Sequence, residues 1–204
     1  GLLLAALGLS LAANANNGST PAAATEGASR VVAVSAGGYH SCGLKADAGI
    51  QCWGEGGTYS YFDYGQADDR PGPFVQVATG EFHTCGLKPD GSVECWGGNF
   101  APMPNNDGPF VAISAGYNHT CGLKADGQAV CWGVAADDYG QSQSRTGPYV
   151  AVSAGSFHTC ALKPDGNVEC WGRNISGEAP ATVTGPFVSI SAGMFHTCGL
   201  DANG

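Results

Sequence analysis

Short runs in which apolar residues alternate with small or polar residues recur along the chain from residue 31 onward. The runs at 110–116 (FVAISAG), 119–124 (HTCGLK) and 131–133 (CWG) form one set of them. Alternation with a period of two predicts β-strands. Glycine is abundant, with 33 residues, and only 12% of the residues are charged, as is typical of all-β proteins with tight turns.

The same frame returns five times around a histidine, at steps of 43, 36, 39 and 38 residues. Three to four short strands in each unit of about 40 residues are typical of propeller blades, whose apolar faces are covered by neighbouring blades. We therefore predict an all-β fold, a β-propeller present as an incomplete arc of four full repeats and half of a fifth. The predicted units are 31–73, 74–109, 110–148, 149–186 and 187–204.

A tight turn is predicted between the second and third strands of each unit. In Pro89-Asp90-Gly91, Pro and Asp suit a type I turn and Gly suits the left-handed position. Residues 125–127 and 164–166 carry the same chemistry. The first unit departs from it with Ala-Asp-Ala-Gly at 46–49, which predicts a shifted turn there.

Eight of the nine cysteines form four pairs whose members lie ten positions apart: Cys42/Cys52, Cys85/Cys95, Cys121/Cys131 and Cys160/Cys170. With 89–91 as the loop, Cys85 faces Cys95, in a non-hydrogen-bonded pair if the pair closing the turn is hydrogen-bonded. The Cα atoms of such pairs are about 4.5 Å apart, within reach of a disulfide. We interpret each pair as a cross-link that closes one short loop of its own hairpin.

The alternative for the cysteines is a zinc site that also uses His83, but no fourth ligand stands at a fixed spacing. Cys198 lacks a partner because the expected position falls after residue 204, and we interpret this as truncation.

The residues that recur in every unit predict structural roles. We interpret the tryptophans as packing between blades, and the histidines as bonding a ring nitrogen to the backbone of a neighbouring blade. A catalytic residue is usually unique, so we predict no catalytic residue, no metal and no cofactor. The structural set is His40, His83, His119, His158, His196, Trp53, Trp96, Trp132 and Trp171.

The N-terminal residues 1–15 (GLLLAALGLSLAANA) predict the remnant of a secretory signal peptide. The alternative is a membrane anchor, but the apolar run ends near Ala13, short of the roughly 20 residues that a span requires. Residues 16–30 predict a disordered linker before the repeats at 31–204. Together with the paired cysteines, these features predict a secreted or cell-surface protein without a membrane span.

The formal net charge of -9 argues against a nucleic-acid partner, because an acidic surface repels phosphate. Solubility alone explains such a charge. The acidic pair at 137–138 lacks the ligand pattern of a calcium loop.

The unit at 114–123 (SAGYNHTCGL) with 131–133 (CWG) resembles the repeats of the regulator of chromosome condensation family. Residues 64–66 and 139–141 (both YGQ) resemble the Gly-Gln step that follows Trp-Gly in that family. The resemblance covers residues 31–204 and implies a propeller, commonly of seven blades. The founding member is a nuclear exchange factor for a small GTPase, a role that the signal peptide, the acidic charge and the paired cysteines oppose here.

Function is expected in the loops that differ between units, because loops carry binding residues on a rigid scaffold. We predict a non-catalytic scaffold, monomeric when complete, that binds an unknown protein or glycan. The alternatives are a guanine-nucleotide exchange regulator, by family analogy, and a non-catalytic module of a larger extracellular enzyme. Aromatic side chains make good contact anchors, although these could instead fold back over the blade edge. The candidate binding residues are Tyr59, Tyr61, Phe62, Tyr64, Asp137, Asp138 and Tyr139.

Overall fold

The computed structural model describes residues 30–55, 63–98, 108–133 and 137–203. Within them, fourteen strands form five separate antiparallel sheets, one for each predicted unit. The strands are β1 (Val31–Ala36), β2 (His40–Lys45), β3 (Ile50–Gly54), β4 (Gln76–Thr79), β5 (His83–Leu87), β6 (Val93–Gly97), β7 (Phe110–Ala115), β8 (His119–Lys124), β9 (Ala129–Gly133), β10 (Ala151–Ala154), β11 (His158–Leu162), β12 (Val168–Gly172), β13 (Phe187–Ala192) and β14 (Thr197–Asp201). The first four sheets have three strands in chain order, and the fifth has two.

The hairpin between the second and third strands of each unit sets the register of the blade. In the second unit, the amide of Lys88 donates to the carbonyl of Ser92 at 2.8 Å, and Cys85 lies opposite Cys95. Directly opposed cysteines are disulfide-bonded in four units, with Cα atoms 4.0–4.1 Å apart, while Cys198 is free and exposed. The four disulfides are Cys42–Cys52, Cys85–Cys95, Cys121–Cys131 and Cys160–Cys170.

The four predicted disulfides are confirmed, and two of their cysteines, Cys131 and Cys170, also lie between neighbouring blades. Both are buried, each 6% exposed, in the core between blades. Cys131 belongs to a cluster with Tyr149 and Trp171 of the next unit, and Cys170 to one against which Phe187 of the next unit packs. Cys131 and Cys170 therefore contribute to the interface between blades as well as cross-linking their own hairpins, because aromatic side chains of the following unit cover the face on which they lie.

The prediction of a shifted first turn is wrong. The amide of Lys45 donates to the carbonyl of Gly49 at 2.8 Å, and Cys42 again lies opposite Cys52. Ala48 takes the left-handed position with φ 64°, where Gly91 has φ 81°. The turn keeps its shape because the disulfide and the strand register fix both of its ends, so an alanine accepts a conformation that favours glycine.

Each blade is covered by aromatic side chains of the unit that follows it. Trp96 of the second unit packs into a cluster with Leu44 and Ile50 of the first. Trp132 and Trp171 lie in equivalent inter-blade clusters, and these three tryptophans are 5–7% exposed. Trp53 is 49% exposed, since no described unit precedes its blade. The core is therefore a series of interfaces between neighbouring sheets, as expected of stacked repeats.

The first strands of successive units contact one another in series along the arc. Here Gly80 of the second unit lies against the ring of His83 and the carbonyl oxygen of Gly116 in the next unit, and a Cβ atom would overlap both. A fourth strand is reduced to isolated bridges such as Ile50 with Arg70. No described segment is a helix with the length and apolar character needed to cross a bilayer. The predicted signal peptide and nearly all of the predicted linker lie outside the described residues.

Candidate functional site

A histidine begins the second strand in the first four units and reaches into the next unit. In the second unit, Nε2 of His83 lies 2.7 Å from the hydroxyl of Thr120, the residue after the histidine of the third unit. The equivalent pairs are His40 with Thr84, His119 with Thr159 and His158 with Thr197, at 2.6–2.8 Å. The histidines thus link neighbouring blades, but their partner is a threonine hydroxyl and not the backbone that the sequence suggested.

The threonine hydroxyl in turn anchors the loop that follows Trp-Gly. Thr84 donates to the carbonyl of Gln66 at 2.8 Å, and Thr159 donates to that of Gln141 at 3.0 Å. Because each hydroxyl has a single hydrogen, the Nε2 of His40 and of His119 must donate to it. The histidine, the threonine and the loop therefore form one chain of hydrogen bonds between the first and second units, and an equivalent chain between the third and fourth.

Burial sets the protonation of these histidines. Loss of solvation lowers the pKa of His83 to about 3, with repulsion from His119 and His40 adding to it, and lowers the pKa of His40 and of His119 to about 4. The pKa of His158 is lowered by burial as well. At neutral pH these rings are therefore neutral, and the Nε2 atom of each lies within hydrogen-bond distance of the threonine of the next blade.

One aromatic side chain from each unit lies at the connection between its first and second strands. The five rings form a continuous row, with consecutive centroids 5.4, 5.7, 5.1 and 6.3 Å apart. Their separations and tilts are those of interacting aromatic pairs. We call this set the aromatic row: Tyr39, Phe82, Tyr117, Phe157 and Phe195.

Two tyrosines from the variable loops extend the aromatic row sideways. The ring of Tyr64 meets Phe82 edge-on at 5.7 Å, and that of Tyr139 meets Phe157 edge-on at 6.0 Å. Both tyrosines are about half exposed, at 51% and 50%. The side-chain amide oxygen of Gln141 accepts a hydrogen bond from the backbone amide of Tyr139 at 2.6 Å, and this bond stabilises the conformation of the loop.

Carboxylate side chains lie near the aromatic row, at the same end of the blades. Burial, followed by the charges of Glu81 and Asp137, raises the pKa of Tyr117, and burial also raises the pKa of Glu81. Asp63 and Asp138 each precede one of the loop tyrosines. Among the described residues, these four carboxylates form no ion pair. The surface is therefore aromatic and acidic together.

Positive charge is concentrated at the opposite end of the blades, which carries the hairpin turns and is called the hairpin end. Lys45, Lys88, Lys124 and Lys163 close those turns. Arg30 bonds to the first turn, and Arg70 and Arg145 bridge to the first residues of third strands. Arg173 alone of the eight Lys and Arg residues follows the far end of a third strand, beside the aromatic row.

The guanidinium of Arg173 contacts both an aromatic ring and a carboxylate on this surface. Its carbon lies 4.9 Å from the ring centroid of Phe195, and its Nη1 donates to the carboxylate of Glu178 at 2.6 Å. Glu178 stands where the loops of the first and third units have Gln66 and Gln141, and it likewise accepts from a backbone amide, that of Ser176. The last loop is thus pinned by an ion pair in addition to the hydrogen bond.

The structure divides the predicted binding residues. Tyr64 and Tyr139 meet the aromatic row, and Asp137 and Asp138 lie exposed beside it. Tyr59, Tyr61 and Phe62 lie outside the described residues. The row itself was not predicted, although aligned repeats carry its signal: an aromatic residue stands one or two positions before each histidine.

The predicted disulfide residues take no part in this surface. Cys131 and Cys170 are buried in the inter-blade core, and the sulfurs of all four pairs are bonded to each other, which removes them as metal ligands. Nothing among the described residues groups three metal-ligating side chains. The zinc alternative therefore has no thiolates to use at any of the four pairs.

The sequence profile of the regulator of chromosome condensation (RCC1) repeat matches the chain four times, at 31–66, 74–101, 110–141 and 149–178. No curated protein sequence gives a significant match.

Solved structures of plant receptor ectodomains have similar folds. The CRINKLY WD40 ectodomain of the Arabidopsis thaliana receptor kinase ACR4 has a TM-score of 0.70 and 29% identity, over 89% of this chain and 63% of that one. The ectodomain of the Physcomitrella patens receptor kinase CR4 has a TM-score of 0.71 and 28% identity, over 85% of this chain and 50% of that one. Yeast RCC1 (Prp20), solved bound to Kap60, has a TM-score of 0.67 and 20% identity over 86% and 55%, a likeness of fold alone. The chain thus spans 63% or less of these relatives.

Proposed function

The chain belongs to the regulator of chromosome condensation (RCC1) repeat family, and from this premise we propose that it is a secreted or cell-surface propeller scaffold. It binds a protein or glycan partner and catalyses no reaction. The partner lies on the aromatic row and on the two variable loops that extend it.

The observation that carries the proposal is the position of Tyr64 and Tyr139. Loops that differ between units place two half-exposed tyrosines against a row of rings supplied by the constant frame. Tyrosine offers a large contact area with little conformational freedom to lose, so it suits a binding surface. A frame that is the same in every unit, carrying loops that differ, is the design of a recognition scaffold.

An extracellular location is supported by the chemistry of the cysteines and by the relatives. Disulfides such as these four persist in oxidising surroundings and are rare in the cytosol. The two plant proteins at 29% and 28% identity are ectodomains of receptor kinases. Recovery of the chain, with its disulfides formed, from the extracellular fraction of its source would be the expected result.

A binding role without catalysis is supported by the state of the recurring histidines. Nε2 of His40, His119 and His158 is occupied by the threonine of the next blade. Their pKa values are lowered by burial, which leaves the rings neutral and away from solvent. The groups that most resemble catalytic residues in the sequence are therefore committed to holding blades together.

Affinity capture from the extracellular fluid of the source organism tests the proposal. The immobilised chain is compared with the double variant Tyr64→Ala/Tyr139→Ala and with the control Val111→Ala/Val150→Ala, which trims two exposed apolar residues at the hairpin end. Loss of two aromatic anchors should weaken capture at least about tenfold, since each is worth on the order of 1 kcal/mol or more. The control should capture like the wild type.

The result that contradicts the proposal is equal capture by the wild type and the tyrosine variant, or no specific capture by the wild type. Unchanged disulfides and an unchanged circular dichroism spectrum establish that both double variants are folded. A loss shown equally by the hairpin-end control would place binding elsewhere on the blades.

A further inference from the structure

We infer that the occupant of the aromatic row is an extended, arginine-rich segment of a protein partner, whose guanidinium groups lie over the rings and beside the carboxylates that flank them. This rests on the proposed function and specifies which class of partner the same surface takes. The inference is carried by three independent features of the described residues: ring spacing, charge placement and one arginine already bound in this way.

The spacing of the rings fits an extended chain. Consecutive centroids of the aromatic row are 5.1–6.3 Å apart. Alternate side chains of an extended strand lie on the same face about 6.6 Å apart. In an extended segment of about seven residues, the side chain of every second residue therefore lies near the next ring of the row.

The distribution of charged side chains favours a positively charged partner at the aromatic row. Asp63, Glu81, Asp137 and Asp138 flank the row and form no ion pair among the described residues, while seven of the eight Lys and Arg residues lie at the hairpin end. Such segregation leaves the field on this end negative, which attracts and orients a basic segment. The faces of aromatic rings also carry partial negative charge, so they attract cations as the carboxylates do.

Arg173 shows the binding mode inside the chain. Its guanidinium stacks on Phe195 of the aromatic row and pairs with the carboxylate of Glu178. The same combination of a ring and nearby carboxylates occurs around Tyr117, next to Glu81 and Asp137, with no arginine of the described chain in place. A guanidinium from a partner would complete there the arrangement that Arg173 makes by itself at the end of the row.

The test uses a synthetic heptapeptide, Arg-Ser-Arg-Ser-Arg-Ser-Arg with blocked ends, and a matched peptide in which citrulline replaces each arginine. Citrulline keeps the planar shape and loses the charge. The dissociation constants are measured by calorimetry for the wild-type chain, for Glu81→Gln/Asp137→Asn, and for Asp90→Asn/Asp165→Asn. The last pair makes the same charge change in turns at the hairpin end.

We expect the arginine peptide to bind at least about tenfold more tightly than the citrulline peptide, and increasingly weakly as salt is raised. Glu81→Gln/Asp137→Asn should weaken that binding about tenfold, and the hairpin-end variant less than about twofold. Asn tolerates the positive φ of 61° at position 137, so the variant keeps its backbone.

Equal affinity for the two peptides overturns the inference, and so does an arginine peptide whose binding ignores Glu81→Gln/Asp137→Asn. A neutral oligosaccharide that binds through Tyr64 and Tyr139 without any effect of the charge variants would overturn it too and assign the row to a glycan. In each case loss of natural-partner capture by Tyr64→Ala/Tyr139→Ala would still stand, so the proposed function is judged separately from this inference.

Discussion

Nε2 of His83 lies 2.7 Å from the hydroxyl of Thr120, and the two residues belong to neighbouring blades. The pair is buried, with both side chains almost wholly removed from solvent. Three equivalent pairs repeat along the arc, so the contact between blades is specified by hydrogen bonds as well as by apolar packing. The position of the proposed binding surface depends on these pairs, because each histidine follows a residue of the aromatic row within two positions.

Replacement of Thr120 by valine tests this link. Valine keeps the shape and removes the hydroxyl, so Nε2 of the buried imidazole loses this hydrogen bond and the free energy of unfolding should fall by about 1–3 kcal/mol. Urea denaturation followed by tryptophan fluorescence measures the change. Thr182→Val, at an exposed threonine whose hydroxyl donates to the carbonyl of the adjacent Ala181, should change stability by less than about 0.5 kcal/mol. Similar losses in both variants would contradict the role of the pair.

Acid should destabilise the fold before most carboxylates begin to titrate. The pKa of His83 is lowered to about 3 and those of His40 and His119 to about 4, against 6.5 for an unburied histidine. The unfolded chain therefore binds protons more readily than the folded one, and stability is lost as pH falls below about 6.5. Each such histidine contributes a slope of about 1.4 kcal/mol per pH unit until its folded pKa is reached.

Urea denaturation between about pH 7 and pH 5 measures this slope. Carboxylates with ordinary or lowered pKa values remain ionised through this range, so they do not account for a loss there. A free energy of unfolding that stays constant across the range would show that the histidines are not buried in the neutral form.

Replacement of Ala48 by glycine should stabilise the first blade. Alanine in the left-handed conformation costs about 1–2 kcal/mol, and the greater freedom of glycine in the unfolded chain offsets about half of the gain. The expected increase in the free energy of unfolding is about 0.5–1 kcal/mol. The reverse change in the third unit, Gly127→Ala, should destabilise, since φ is 86° and a Cβ atom would crowd Tyr149. Changes of the same sign in both variants would contradict this account of the turn.

Removal of one disulfide should lower stability without abolishing the fold. The double variant Cys121→Ser/Cys131→Ser opens a loop whose ends lie ten positions apart, which is worth about 2–3 kcal/mol by chain entropy. Cys198→Ser is the matched control, because that cysteine is free and exposed. Denaturation curves under non-reducing conditions compare the variants. A loss of less than about 0.5 kcal/mol in the double variant would show that the bridge adds little to a hairpin already fixed by its register.

The sequence predicts the features that depend on contacts within one unit. The Pro-Asp-Gly turn and the ten-residue cysteine spacing determine which residues face each other, and this local register explains both the hairpin and its disulfide. Ala48 is the exception, since propensity favours a glycine there and the disulfide-closed hairpin overrides it. Buried tryptophans are also predictable, because a single sheet must cover its apolar face.

Contacts between two units cannot be predicted from the sequence pattern of a single unit. The threonine partner of each histidine lies 37–44 residues away, and only the stacking distance between blades brings the two together. The burial of Cys131 and Cys170 under the next unit and the contact of Tyr39 with Phe82 in the aromatic row have the same origin. The aromatic row, on which we propose that the partner binds, was therefore not predicted from the sequence, although residues of the adjoining loops were predicted.

Site-specific photo-cross-linking tests the central claim most directly. A benzoylphenylalanine residue replaces Tyr139, next to the aromatic row, or Val150 at the hairpin end, where the side chain is similarly exposed. Each protein is illuminated in the extracellular fluid of its source. We expect a discrete covalent adduct from position 139 and none from position 150. The same adduct from both positions, or an adduct from position 150 alone, would contradict it.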